Sequence, residues 1–445
     1  MKSLFNKKQI FCITFIILAL MIIGSITVFA DEPIQLKLIS WTYGVEKVRE
    51  NLDNFEKLNP NIKVDYEDIS WYSYTGDMTL RFITKTAGDV IYVSDMWLAS
   101  WAEAGWLVPL EDYAPELIKK YYPLMKPYVA EGLTYKGKGY GMPYYNDTYV
   151  FMQNGGMLKE IGYTAPPKTW DDVKEMSLAL KEAGIQKYPV IMEFHPDEAS
   201  LTNVFYAMVY SIEPDSLFDD DLNPIFNKEG SAAYKALDWL NKALKEWKII
   251  DPASLTMKEI DVYKSMQSGI GAFTIMEKYT LAEMNAPGSG KWAGQFDLVL
   301  MPGESHYTNG SAKFYALTAD AVRRGPEVID AAVKLMEYMG GKTDGKFGVA
   351  TKWAAENGLG FAYPELYDDP EVADKFNAWG NVSIEREQES NYSMSMEGMK
   401  TPWFTEFSEV IRREVHNVLG GNESVMEGLN AMADEWNKMK SKYTK

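Results

Sequence analysis

Few residues in this chain could make or break a bond. No Gly-x-x-x-x-Gly-Lys-Ser/Thr phosphate loop and no Gly-x-Ser-x-Gly elbow is present. His195, His306 and His416 are the only histidines, and no two are spaced as metal ligands. Carboxylates are abundant, so counting does not exclude a glycosidase pair, yet no local signature selects two of them. Asp219-Asp220-Asp221 with Asn223 lacks the central Gly and closing Glu of a calcium loop and reads as a solvated turn. What the chain has in excess is flat apolar surface: 13 Trp, 28 Tyr and 19 Phe, beside 24 Met. That inventory is heavy in flat stacking surfaces and light in nucleophiles.

The rings act on a ligand only where the fold turns them outward. Ile34-Gln35-Leu36-Lys37-Leu38 alternates as a half-buried strand and runs into Ile39-Ser40-Trp41. Val45, Val48, Leu52 and Phe55 recur at helical spacing, and Asn59-Pro60-Asn61 stops them. Ile62, Val64 and Tyr66 alternate again, a helical stretch follows over 78–86, and Asp89-Val90-Ile91-Tyr92-Val93 is a compact β-branched strand. Strand, helix, strand, helix, strand predicts right-handed parallel crossovers and an α/β fold. Ligands of such sheets sit beyond the carboxyl ends of the strands. That rule singles out Trp41 and Tyr43, Trp71, and Asp95 with Trp97. Trp101 and Trp106 are expected to pack in their own segment, and Trp170, Trp239, Trp247 and Trp436 to lie on helical stripes as core.

Further along, Thr169-Trp170-Asp171-Asp172 after Pro166-Pro167 is a capping-box helix start. Residues 188–192, 272–275 and 296–300 read as strands. Pro326 opens a helix carrying Ile329, Val333, Met336 and Met339, and two amphipathic helices close the chain. No repeat, low-complexity tract or linker marks a clean cut, which suggests a chain that crosses between lobes more than once.

The 445 residues suffice for a two-lobed protein, and 45 Lys+Arg against 63 Asp+Glu give a net charge of −18. Such a chain is a poor partner for nucleic acid or anionic lipid. One Cys excludes a disulfide framework and a multi-thiolate zinc site. Lys2, Lys7 and Lys8, an apolar run near Ile10 to Ile23, and Val28-Phe29-Ala30 have the layout of a signal peptide spanning 1–30. A retained anchor is the rival reading, with an apolar run short of the ~20 residues of a span. Cys12 lies inside that run, too early to be a lipoprotein cysteine. Cleavage would leave no thiol and, with three lysines and no acid lost, a charge of −21.

Several stretches, taken in order, resemble one family. Phe55-Glu56-Lys57-Leu58-Asn59-Pro60-Asn61-Ile62-Lys63-Val64 is similar to its first helix-to-strand junction. Gly88-Asp89-Val90-Ile91-Tyr92-Val93, with Trp97 and 104–110, is similar to its third strand and the segment after it. Residues 135–143 resemble the lead into a first crossing between lobes. Pro167-Lys168-Thr169-Trp170-Asp171-Asp172 and Ser268-Gly269-Ile270-Gly271-Ala272-Phe273 continue the order. On these motifs the chain resembles the extracellular solute-binding proteins of bacterial ABC importers, in the sugar-binding, maltose-binding-protein-like group.

The resemblance implies two α/β lobes, each a mostly parallel sheet flanked by helices and joined by hinge crossings. One would comprise 31–144 with 310–348, the other 145–309 with 349–445. It implies a receptor that closes on a carbohydrate, an oligosaccharide if several rings are engaged, and delivers it to membrane permease subunits. Such a protein is no enzyme, uses no cofactor or metal, and works as a monomer in the periplasm or cell-surface space. A non-sugar solute such as a peptide, polyamine or polyol phosphate is the alternative, and a secreted glycosidase a more distant one. The resemblance adds Tyr144 and Tyr145 at the crossing, of which alternation turns one toward the ligand. It also adds Glu193, Phe273 and Glu277 from the second lobe, with Trp353 and Trp403 as stacking platforms. His195 and His306 stand near these positions. Arg386 and the Met-rich stretch 392–399 would form a lid or a surface loop.

Overall fold

The protein is described by a computed structural model over residues 32–443, so the expected leader and Cys12 lie outside the described residues. Strands β1 (Ile34–Trp41), β2 (Ile62–Ile69) and β3 (Val90–Ser94) are parallel, in the order β2-β1-β3. The helices Val45–Leu58 and Tyr74–Thr84 make the crossovers. The first buries Val48, Asn51, Leu52 and Phe55, the face its spacing announces. The second starts four residues earlier than the apolar pattern suggests and ends at Lys85, which is left-handed with φ 59°.

A small hairpin, β4 (Thr134–Tyr135) with β5 (Lys138–Gly139), leads into β6 (Gly141–Asn154). Every residue of β6 is buried. Its first part pairs antiparallel with β9 (Thr308–Leu317), and β9 pairs antiparallel with β3. Its second part is met antiparallel by β7 (Phe273–Glu277) and β8 (Phe296–Val299). β6 and β9 therefore run from one α/β half into the other, and β10 (Ser393–Met394) joins the start of β9. Asn146, Asp147 and Thr148, all buried, mark the passage along β6.

The helix from Trp170 starts as expected: Thr169 Oγ1 accepts from the Asp172 amide at 3.1 Å, and Asp172 accepts from the Thr169 amide at 2.9 Å. Trp170, Trp239 and Trp247 pack in a chain, with ring centres 5.0 and 5.7 Å apart. Trp101 and Trp106 both pack on Phe82.

Two segments differ from the sequence reading. Residues 188–192 form no strand; Val190 alone makes isolated bridges, to Ile250 and Phe273. Arg386 and the stretch 392–399 form neither lid nor surface loop. Arg386 lies on the helix Val382–Asn391, 392–399 carries β10 with Met396 and Met399 buried, and Glu385, Gln388 and Glu389 of that helix are buried. Gln388 accepts from the Met301 amide at 2.9 Å and donates to the His306 carbonyl at 3.0 Å.

Glu385 and Glu389 reach buried lysines at the crossing. Glu389 ion-pairs with Lys126 and accepts from Tyr367 at 2.6 Å and from Thr148 at 3.1 Å. Glu385 pairs with Lys278 at 3.0 Å. Burial alone would raise Glu389, but Lys126 and Lys278 hold it below the ordinary carboxylate range. Glu385, farther from balance, is pushed up to about 7 by burial, with Lys278 acting against the rise.

Candidate functional site

The ends of β1, β2 and β3 open together onto a cavity of about 440 Å³, within the range of small-molecule sites. Trp41, Tyr43, Trp71 and Trp97 line it. Trp41 stacks on Tyr43 with ring centres 4.8 Å apart and planes 9° from parallel, and meets Trp71 edge-on at 5.5 Å. Trp71 continues to Trp97 at 5.6 Å. The turn after β1 needs glycine at Gly44, which has φ 53° and where a Cβ would lie 2.5 Å from the Trp353 ring.

The facing wall comes from the other half. Glu198, Ser200 and Asn203 belong to the start of the helix Ser200–Ile212 and the turn before it. Lys258 and Glu259 open the helix Glu259–Gln267, and Glu277 and Tyr279 stand at the end of β7. Thr405, Ser408, Glu409 and Arg412 are one polar stripe of the helix Phe404–Gly420, whose apolar stripe holds Phe404, Phe407, Ile411 and Val415. Thr405 Oγ1 donates to the Met96 carbonyl at 3.1 Å, so the two walls touch there.

This wall is rich in buried acid. Glu277 accepts from Tyr149 at 3.2 Å, and Glu259 accepts from Tyr279. Burial first, and then the charge of Glu277, push Glu259 up to about 8. Burial likewise raises Glu277, with Lys313 opposing. The bases of the lining are committed elsewhere. Lys258 pairs with Glu198 at 3.2 Å and lies over the Tyr72 ring at 4.8 Å. Lys313 donates to Ser311 at 2.9 Å and Ser94 at 3.2 Å. Arg412 donates to the Pro196 carbonyl at 3.1 Å and Ser408 at 3.0 Å.

Of the residues selected from sequence, Trp41, Tyr43, Trp71, Trp97, Tyr145 and Glu277 line the cavity, and six do not. Asp95 is buried as a clamp: it accepts from the Ala312 amide at 2.7 Å and the Met96 amide at 2.9 Å, with Lys313 4.0 Å away. Tyr144 falls where the β6–β9 register shifts, and it stacks on Tyr315 at 5.0 Å while Tyr145 faces the cavity. Phe273 is at the start of β7, the end away from the cavity, and stacks on Phe151. Glu193 is wholly buried because 188–192 makes no strand to carry it outward. Trp353 lies behind Tyr43, ring centres 6.0 Å apart. Trp403 packs on Trp436 and Tyr443.

His195 and His306 are held by local bonds: His195 Nδ1 accepts from the Asp197 amide at 3.1 Å, and His306 Nδ1 lies 2.8 Å from the Met301 carbonyl. Sequence reasoning missed Tyr149, Tyr279, Glu198, Glu259, Lys258 and Arg412. The polar stripe at 405, 408 and 412 was the one periodic signal available for this wall. Among the described residues, no group of three or more His, Cys, Asp or Glu could hold a metal ion, and no helix is long and apolar enough to cross a membrane.

The fold is similar to those of known binding proteins. The maltose-bound MalE3 of T. maritima superposes with a TM-score of 0.78 at 18% identity, over 91% of this chain and 100% of that one. The sugar-binding protein MalE of Xanthomonas citri gives 0.75 at 20% identity, over 92% and 98%. Both comparisons establish the two-lobed α/β fold. A maltotriose-binding protein of Pyrococcus abyssi is 30% identical over 95 residues, 21% of this chain and 19% of that protein. Binding proteins of Brucella abortus are 23% identical over 47% of this chain and 47% of their own length, so the chain spans about half the length of these curated relatives. Residues 40–363 match the family description "bacterial extracellular solute-binding protein", a family of binding proteins rather than enzymes. The match takes in the three aromatic strand ends and both strands that pass between the halves, and the chain belongs to this family.

Proposed function

We propose that this protein is an extracytoplasmic receptor that captures a carbohydrate, an oligosaccharide by preference, and delivers it to the permease subunits of an ABC importer. The observation that carries the reading is the row Tyr43, Trp41, Trp71 and Trp97 facing a wall of carboxylate, hydroxyl and amide groups across one cavity. The rings take the C–H faces of sugar units and the polar wall takes their hydroxyls. Trp41, Tyr43, Trp71, Trp97, Tyr145 and Glu277 touch the ligand. Asp95, Tyr144, Glu193, Phe273, Trp353 and Trp403 act from behind, by packing or charge. The halves are 31–144 with 310–348, and 145–309 with 349–445, and they close as units about β6 and β9. Ligand touching both walls favours the closed state by its differential affinity, which is what the importer reads. The protein performs no catalysis and works as a monomer outside the cytoplasmic membrane.

Thermal unfolding against a panel of di- to tetrasaccharides tests this. A ligand at a hundred times its dissociation constant stabilises by about 2.7 kcal/mol, and the shift grows with the logarithm of concentration. A panel that leaves the melting temperature unmoved overturns the sugar assignment.

A further inference from the structure

The cavity gathers more buried carboxyl groups than the protein pairs with bases. Glu259 and Glu277 line it, and neither forms an ion pair among the described residues. Glu193 stands behind them, fully buried, with the Ser200 hydroxyl nearby and no base paired with it among the described residues. The charges acting on it most are those of Glu259 and Glu277. Asp147, on the passage strand near Glu277, is buried too; Lys278 and Lys313 act on it, but it forms no ion pair among the described residues. The three bases of the lining redress this only in part. Lys258 is taken by Glu198; Arg412 is held by Ser408 and the Pro196 carbonyl and faces Glu409, Asp197 and Glu198; Lys313, 4.0 Å from Asp95, acts on Glu277 but forms no ion pair with Glu277 or Glu259 among the described residues.

Ionising a buried carboxyl without a counter-ion is costly, and burial keeps Glu259 protonated in the empty cavity. An ammonium group beside it supplies the missing counter-ion and lets it ionise, which the hydroxyls of a neutral sugar do not. The opposite wall suits the same ligand, because a cation over the face of Trp or Tyr is attracted to the ring while the adjoining pyranose stacks.

We propose that the physiological ligand is a basic carbohydrate, a saccharide carrying a protonated amine that seats between Glu259 and Glu277 against the Trp41–Tyr43–Trp71 row. This rests on the carbohydrate reading above and narrows it. Tyr149 and Tyr279, which donate to the two carboxylates, act as positioning residues. Acetylating the amine abolishes the charge and adds bulk where the two carboxylates converge.

Titration calorimetry with chitosan oligomers (dimer to tetramer), chitin oligomers of the same lengths, and maltose to maltotetraose separates the cases. The work is done near pH ~6, below the ~7.7 of an α-amino-type nitrogen. The amine form is expected to bind at least about tenfold more tightly than either neutral series. Glu259→Gln should bring that ratio toward one, with a melting curve showing the variant folded. Equal or tighter binding of a neutral series overturns the basic-ligand proposal and leaves the carbohydrate reading intact. An amine preference that survives in both Glu259→Gln and Glu277→Gln also overturns it, since the charge would lie elsewhere. If no saccharide binds, in either form, the proposal falls together with the carbohydrate reading, and spermidine as an added arm shows whether charge alone was recognised.

Discussion

Two clusters of buried carboxylates lie in this molecule, one at the crossing and one in the cleft. At the crossing, Glu389 and Glu385 face Lys126 and Lys278, and both lysines also lie over aromatic rings, Lys126 4.5 Å from the Phe361 centre and Lys278 3.9 Å from that of Phe376. In the cleft, Glu193, Glu259 and Glu277 have hydroxyl neighbours, those of Ser200, Tyr279 and Tyr149, and no ion pair among the described residues. The chain thus supplies counter-ions where charge joins the segments that pass between halves, and withholds them where a ligand is to sit. Buried charge that is matched belongs to the architecture; buried charge left unmatched beside a cavity is a mark of function.

The largest effect that could break this contrast is at the crossing. Glu389→Gln strands Lys126 in an apolar surround and should destabilise by about 3–5 kcal/mol, read by denaturant unfolding. A loss within ~0.5 kcal/mol would mean the matched cluster does not hold the passage. In the cleft, Trp71→Ala removes the central ring of the row. It should weaken saccharide binding by about tenfold, from a lost stacking contribution of ~0.5–1.5 kcal/mol beyond area, while leaving unfolding of the empty protein little changed. Unaltered affinity would move the ligand off the three strand ends.

A smaller effect is carried by pH. Glu259, at about 8 in the fold, keeps its proton over a range where the unfolded chain, at ~4.3, has lost it. Its contribution is therefore fully present below ~4.3 and is lost as pH rises to about 8, so the empty protein becomes less stable across that window. Glu259→Gln should flatten this part of the profile in denaturation at stepped pH, and an unchanged profile would assign the slope to other groups.

The aromatic wall was legible in the sequence because it depends on local rules. Alternation locates the strands, and a parallel order places their carboxyl ends together, so Trp41, Tyr43, Trp71 and Trp97 follow. The acidic wall depends on how distant segments pack. Glu198 and Glu259, 61 residues apart in sequence, lie at or just before two different helix starts, and Thr405, Ser408 and Arg412 lie on a third helix. No local pattern says that these meet. Where sequence reasoning chose residues beneath the surface, a specific feature intervened: the register shift at Tyr144, the missing strand before Glu193, the reversed end of β7 at Phe273, and Gly44, which lets Trp353 sink behind Tyr43.

Thermal unfolding of the ligand-free Glu277→Gln protein, beside wild type, tests the central claim most directly. If the cleft carboxyls are kept for a ligand at the expense of the fold, replacing one by an amide that needs no counter-ion raises the melting temperature. A fall comparable to that of Glu389→Gln would contradict the account, because Glu277 would then be holding the structure together as the acids at the crossing do.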